Sequence, residues 1–193
     1  MKSKVAIIGK GNVGQAIQKG LQRAGYELKV AGKDPVKVRE AVSWAEVILL
    51  AVPYSALDEV IRELGDGIAG KTLVDVTNAL TRDLQLALGF TTSGAEELQK
   101  KAPRASVVKA FNTAFAATMS SGQAKGQTIT LFAAGDDGAA KEKVLSLGRD
   151  LGFDAVDAGP LKNARWLEAL GYLNIQLGYT LKMGPDIGFR LVH

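Results

Sequence analysis

The chain contains no cysteine, which excludes disulfides, thiolate metal sites and cysteine nucleophiles together. It has one histidine, His193, so neither a histidine-ligated zinc nor a Ser-His pair has the side chains it needs. Aromatic residues make up only 6%, which leaves little for stacking on single-stranded nucleic acid. Charge of one sign is scarce as well: 24 basic side chains against 20 acidic ones leave +4, and the basic residues are scattered. Nucleic acid is therefore not an expected partner. Long hydrophobic runs are also missing. The apolar part of the opening MKSKVAIIG is too short for a signal sequence and runs into a glycine motif. The most apolar later stretch, Trp166 to Leu181, is interrupted by Glu168, Asn174 and Gln176 and falls short of a membrane span. The expectation is a soluble, cytoplasmic protein with no membrane partner.

What is present reads as an α/β fold. With 193 residues, 47% of them hydrophobic and 23% charged, the composition is that of an ordinary globular chain. Short β-branched runs at residues 5–8, 28–31, 47–52, 73–76, 107–110, 129–133 and 153–156 read as strands. Most are apolar throughout, as strands buried on both faces of a parallel sheet must be. Helical spacing lies between them: Val13, Ile17 and Leu21; Val60 and Leu64; Val144, Leu147 and Leu151. This βαβα order predicts a Rossmann-like, doubly wound, mainly parallel sheet. No repeat, low-complexity tract or Pro/Gly-rich linker divides it. A division at 1–158 and 159–193 is expected, the second part being a short helical extension. Its helix, 163–181, is apolar on almost every side, with Trp166, Leu170, Leu173 and Leu177 on one stripe and Tyr172, Ile175 and Tyr179 on another. Such a helix is expected to be buried, either on its own sheet or at a homodimer interface.

The chemistry sits in Gly9-Lys10-Gly11-Asn12-Val13-Gly14, a GxGxxG sequence directly after the first strand and opening the first helix. In that context it predicts dinucleotide binding. Gly9 allows the tight turn, Gly11 lets the backbone approach a pyrophosphate, and Gly14 lets helix and strand pack closely. Cofactor choice is read at the end of the second strand, where an NAD enzyme places Asp or Glu for the ribose hydroxyls. Here the strand ends in Gly32 and Lys33, and Lys37 follows one helical turn later. A carboxylate is missing where it would repel a 2′-phosphate, which favours NADP(H). The alternative gives the ribose to Asp34. Val52 and Pro53 after the third strand, and Asn78 after the fourth, stand at strand carboxyl ends, where ligands of such sheets lie.

Reducing a carbonyl needs proton delivery as well as hydride. The residues after the last strand hold acids, Glu168 and Asp186, with no evident lysine partner, and Lys109 reads as snorkelling outward. Arg165 and Glu168, three apart, read as a helix pair. Hydride exchange between a nicotinamide and a second flat ring needs mainly stacked positioning. The chain suits that second reaction better.

Six stretches, GKGNVGQAI, LLAVPYSAL, TLVDVTNAL, VVKAFNT, DAGPLKNARWLEAL and MGPDIGFRL, together resemble the NADPH-dependent deazaflavin reductases and the related cytosolic domain of the six-transmembrane ferric reductases. The resemblance implies an NADP(H)-dependent oxidoreductase that passes hydride to a flavin or deazaflavin as a small-molecule redox acceptor. It implies that Lys10, Gly11, Asn12 and Val13 hold the diphosphate, and that Gly32, Lys33 and Lys37 form the 2′-phosphate site. By the same resemblance Val52, Pro53 and Asn78 surround the nicotinamide half, and Ala116 is a small residue against the nicotinamide ring. Asn112 falls where the deazaflavin enzymes carry a histidine; ring contact and turn chemistry are both open to it. Two other readings stand beside this one: a module that senses NADP(H) without turnover, and a reductase of another small acceptor.

Overall fold

The computed structural model describes residues 2–192; His193, the one histidine, lies outside them. The chain runs β1 (Val5–Ile8), α1 (Asn12–Arg23), β2 (Leu28–Ala31), α2 (Pro35–Trp44), β3 (Val47–Leu50), α3 (Leu57–Leu64), β4 (Thr72–Asp75), α4 (Gly94–Lys101) and β5 (Ser106–Lys109). A four-residue helix α5 (Ala116–Met119) and a hairpin of β6 (Gln123–Ala124) and β7 (Gln127–Thr128) follow. The chain then runs through β8 (Thr130–Gly135), α6 (Gly138–Leu151), β9 (Asp154–Asp157) and α7 (Ala164–Ile175).

Seven strands form one sheet in the order β2-β1-β3-β4-β5-β8-β9. The first five are parallel; β8 pairs antiparallel with β5, and β9 runs parallel to β8. The antiparallel turn at β8 and the small hairpin before it are additions to the expected sheet. Alternation along each strand splits the core into two layers. Val5 and Ile7 face Ile17 and Leu21 of α1 and the apolar side of α6. Ala6 and Ile8 face Val38 and Val42 of α2, Ile61 of α3 and Leu98 of α4. Both faces being covered is why the strand runs are apolar throughout. Among the described residues no helix is long and apolar enough to cross a membrane.

The terminal helix departs from expectation. It is α-helical only over Ala164–Ile175, and a π-helical turn, Gln176–Thr180, continues it. Its packed face is the small and polar one, Ala164, Leu167, Glu168, Gly171 and Asn174, with Gly178 continuing the line. Trp166, Leu173 and Tyr179 are 59%, 48% and 60% exposed. Small residues let the backbones approach, and the two polar ones find partners beneath, so the apolar stripe is turned outward, where Trp166 stacks on Phe90 at 6.0 Å.

Candidate functional site

The chain passes from β2 to β3 across β1, so the carboxyl ends of β1 and β3 diverge into a crevice. Gly9 stands at its base with φ +120°, where a Cβ would overlap the Ala51 carbonyl oxygen and lie 3.3 Å from Val52 Cγ1. Gly14 lies directly over the Gly9 carbonyl. Gly11 behaves differently: a Cβ there would meet nothing within 4 Å. It is the N-cap of α1, and no side chain caps that helix and no acid stands in its first turn. By contrast Asp34, Ser93 and Asp137 cap α2, α4 and α6. The amide N–H groups of Asn12, Val13 and Gly14 therefore have no capping partner among the described residues, and the helix dipole lies behind them, as an anion site requires. Gln15 Nε2 braces the turn by donating to the Lys10 carbonyl at 2.8 Å. Lys10, Asn12 and Ala116 share the walls of one open recess of about 970 Å³.

At the end of β2, Gly32 makes room for the Lys10 stem, whose Cδ would be 3.4 Å from a Cβ at that position. Lys33 and Lys37 are exposed. Asp34 is engaged elsewhere: its Oδ1 accepts from the Val36 and Lys37 amides at 3.0 and 3.3 Å. Its other oxygen is 4.0 Å from Lys37 Nζ. A capping carboxylate facing its own helix is poorly placed to take a ribose.

At the opposite end, β4 and β5 carry Asp75 and Lys109 in cross-strand register. Both side chains are wholly buried, and Lys109 Nζ meets Asp75 Oδ2 at 2.9 Å, the Thr77 carbonyl at 2.6 Å and Glu168 Oε1 at 3.0 Å. Burial works against the ammonium, yet Asp75 and Glu168 outweigh it and hold its pKa above the ordinary lysine value. The ammonium thus persists through neutral pH, and its stabilising contribution is lost only as alkaline pH passes that raised value. Glu168 also accepts from the Gly94 and Ala95 amides at the start of α4, at 3.0 and 3.3 Å. Nearby Tyr54 has its pKa raised, first by burial and then by Glu168.

Above this cluster lies a pair of amides. Asn78 Nδ2 donates to the Asn112 carbonyl at 3.0 Å. Asn112 Nδ2 donates to Asn78 Oδ1 at 3.0 Å and to the Leu167 carbonyl at 2.7 Å. The Leu167 carbonyl can only accept, so it dictates which way the Asn112 amide points. Asn112 Oδ1 and Thr77 Oγ1 are left buried without a partner among the described residues. Phe111, at φ +68°, turns the chain out of β5 towards α7, and Asn174 Nδ2 donates to the Thr113 carbonyl at 3.1 Å.

The family model described as NADP oxidoreductase, coenzyme F420-dependent, matches residues 4–42 and 31–79, the span of the glycine loop, the lysine pair and Asn78. Over those residues the chain is similar to the F420-dependent NADP oxidoreductases. It is 27% identical over 179 residues to the F420-dependent NADP reductase of Methanocaldococcus jannaschii, covering 90% of this chain and 78% of that one. A crystal structure from Arthrobacter sp. FB24, described as a candidate F420-dependent NADP-reductase, superposes with a TM-score of 0.90 at 27% identity, covering 99% of this chain and 100% of that one. The rat metalloreductase STEAP3 is 34% identical over 183 residues, 86% of this chain and 36% of its own length. The chain thus spans about a third of the length of the curated metalloreductases it matches.

Gly9 and Gly14 meet Ala51 and Val52 at the base of the crevice, Lys10, Asn12 and Ala116 line the recess along α1, and Asn78 belongs to the amide pair. Three sequence readings need correction. Lys109 does not snorkel outward; two carboxylates and a carbonyl hold it inside. Glu168 has a lysine partner after all, and that partner is Lys109. Arg165 does not pair with Glu168 but forms two hydrogen bonds to Glu96, at 2.9 and 2.7 Å, which hold the Glu96 carboxyl below its ordinary pKa. The missed signal was one charge of each sign inside two otherwise apolar strand runs, VDV and VVKA.

Proposed function

We propose that this chain binds NADP(H) in the crevice and transfers hydride between the nicotinamide and a flavin or deazaflavin ring. NADPH, when bound, supplies the hydride from C4 of its nicotinamide. The uncapped start of α1 holds the diphosphate through backbone N–H groups, with no Cβ at Gly11 to obstruct it. Lys33, helped by Lys37, takes the 2′-phosphate. Val52, Pro53, Asn78 and the Asn112–Ala116 segment wall the ring end and keep water out.

One observation carries the reaction class. Three ionisable groups at the ring end, Asp75 and Lys109 at strand termini and Glu168 on α7, are buried and satisfied by one another and by backbone. They are committed as a closed set, and the half-buried Tyr54 phenol beside them is held above its ordinary pKa, which makes it a weak acid, so the chemistry favoured is hydride transfer by orientation. Its test is anaerobic mixing of the protein with NADPH and, separately, FMN, FAD or deazaflavin, following the reduced-nicotinamide absorbance. Rapid oxidation by one of the rings supports the reading. Tight NADPH binding with no oxidation by any of them refutes it.

A Lys33→Ala variant checks the 2′-phosphate assignment. Losing a charge-assisted contact of about 1.5–3 kcal/mol should weaken NADPH by roughly 10- to 100-fold and leave NADH nearly unchanged. Equal weakening of both nucleotides, measured by titration calorimetry, removes Lys33 from that role. Lys37→Ala should have the smaller effect, since Asp34 already lies 4.0 Å from its ammonium.

A further inference from the structure

We infer that Lys109 is a positioning residue for hydride transfer, an internal anchor that fixes Asn112 and with it the wall of the ring site; this rests on the function proposed above. Asn112 is held by two supports, Asn78 and the Leu167 carbonyl. Lys109 grips the residue next in sequence to each of them. Its ammonium bonds the Thr77 carbonyl, one residue before Asn78, and Glu168, one residue after Leu167. The third donor goes to Asp75 on the neighbouring strand. Three donors thus meet three acceptors on three separate segments: β4, the loop after it, and α7.

The geometry separates this anchor from ordinary core packing. Leu73 and Val107, two residues earlier on the same strands, belong to the apolar layer on the side of α2, α3 and α4. An apolar pair at 75 and 109 would continue that layer, yet it would supply nothing to hold the Thr77 carbonyl or the Glu168 carboxylate. Glu168 is further shared with the start of α4, so the same contact sets α4, α7 and the strand ends at one distance. The glycine loop lies across β3 from β4 in the sheet order and draws on none of these contacts.

Loss of the anchor should therefore free the ring end while leaving the diphosphate grip intact. The experiment compares wild type with Lys109→Met and with Lys109→Met/Asp75→Asn, which removes one of the two carboxylates stranded by the loss of the lysine. Each is read by NADPH affinity, by fluorescence anisotropy of the bound reduced nicotinamide, by thermal unfolding, and by turnover with FMN and deazaflavin as probes. The expected result is NADPH affinity within about threefold, anisotropy falling towards that of a loosely held ring, and kcat down roughly 100-fold, the scale of a 1 Å misplacement. If Lys109→Met does not fold, the double variant decides. Wild-type anisotropy in a folded variant overturns the inference, as does a turnover loss that follows the melting temperature alone. Absence of NADPH binding in the wild type would instead overturn the proposed function, so the two failures are distinguishable.

Discussion

A Gly11→Val variant should fold as the wild type does and lose NADPH binding by about 100-fold or more. The backbone at Gly11 has φ −74° and ψ −175°, an extended conformation that valine readily adopts. A Cβ at this position meets no protein atom within 4 Å, so the variant should melt close to the wild-type temperature. The space it fills is where a diphosphate would reach the amides of Asn12, Val13 and Gly14. Each charge-assisted hydrogen bond lost there is worth about 1.5–3 kcal/mol, and losing one or two accounts for the expected drop. Titration calorimetry and a thermal melt on the same sample check it. Wild-type affinity would dismiss the glycine loop as the diphosphate site. A collapsed melt would show Gly11 to be a folding residue.

The second large effect is expected at Gly171, where the local rule and the tertiary contact have opposite signs. Alanine for glycine inside a helix ordinarily stabilises by about 1 kcal/mol. Here the added Cβ would overlap Asn78 Oδ1 and lie 2.7 Å from Asn112 Nδ2 and 2.9 Å from the Asn112 carbonyl. Neither amide can retreat without breaking the reciprocal pair, so the clash prevails. Gly171→Ala should destabilise the fold by about 1–3 kcal/mol and cut turnover strongly, with α7 displaced from the ring end. Denaturant unfolding together with steady-state kinetics tests it. An increase in stability would mean that α7 can shift without disturbing Asn78 and Asn112.

These two glycines mark what was legible in the sequence and what was not. Gly9, Gly11 and Gly14 follow an apolar strand and open an amphipathic helix, so local spacing alone predicts their task. The doubly wound sheet was legible for the same reason, since strands covered on both faces must be apolar throughout. Gly171 carries no such signal, because its reason lies in two asparagines from distant strand ends. Which side of α7 meets the sheet was not legible, because periodicity reports where apolar residues recur but not which of them face the protein. Its buried stripe, Ala164, Leu167, Glu168, Gly171 and Asn174, mixes small, apolar and polar side chains and so leaves no hydropathy pattern. The reversal of β8 leaves no local mark either: a strand buried on both faces looks the same in either direction. Lys109 reads as snorkelling in the sequence, Asp75 passes unnoticed there, and only cross-strand register turns them into a pair.

The bare start of α1 has a thermodynamic consequence. A glycine N-cap in place of Ser, Asp or Asn costs roughly a few tenths of a kcal/mol, and the other long crossover helix, α6, does not bear that cost. An anion seated on the free amides would supply what the sequence withholds, so the proposed binding of NADP(H) would link the native state to the nucleotide pool. At a ligand concentration 100 times its dissociation constant, this linkage adds about 2.7 kcal/mol to the folded state. The first turn of α1 should exchange its amide hydrogens quickly in the free protein and slowly in the complex, and resistance to proteolysis should rise and fall with the supply of NADP(H).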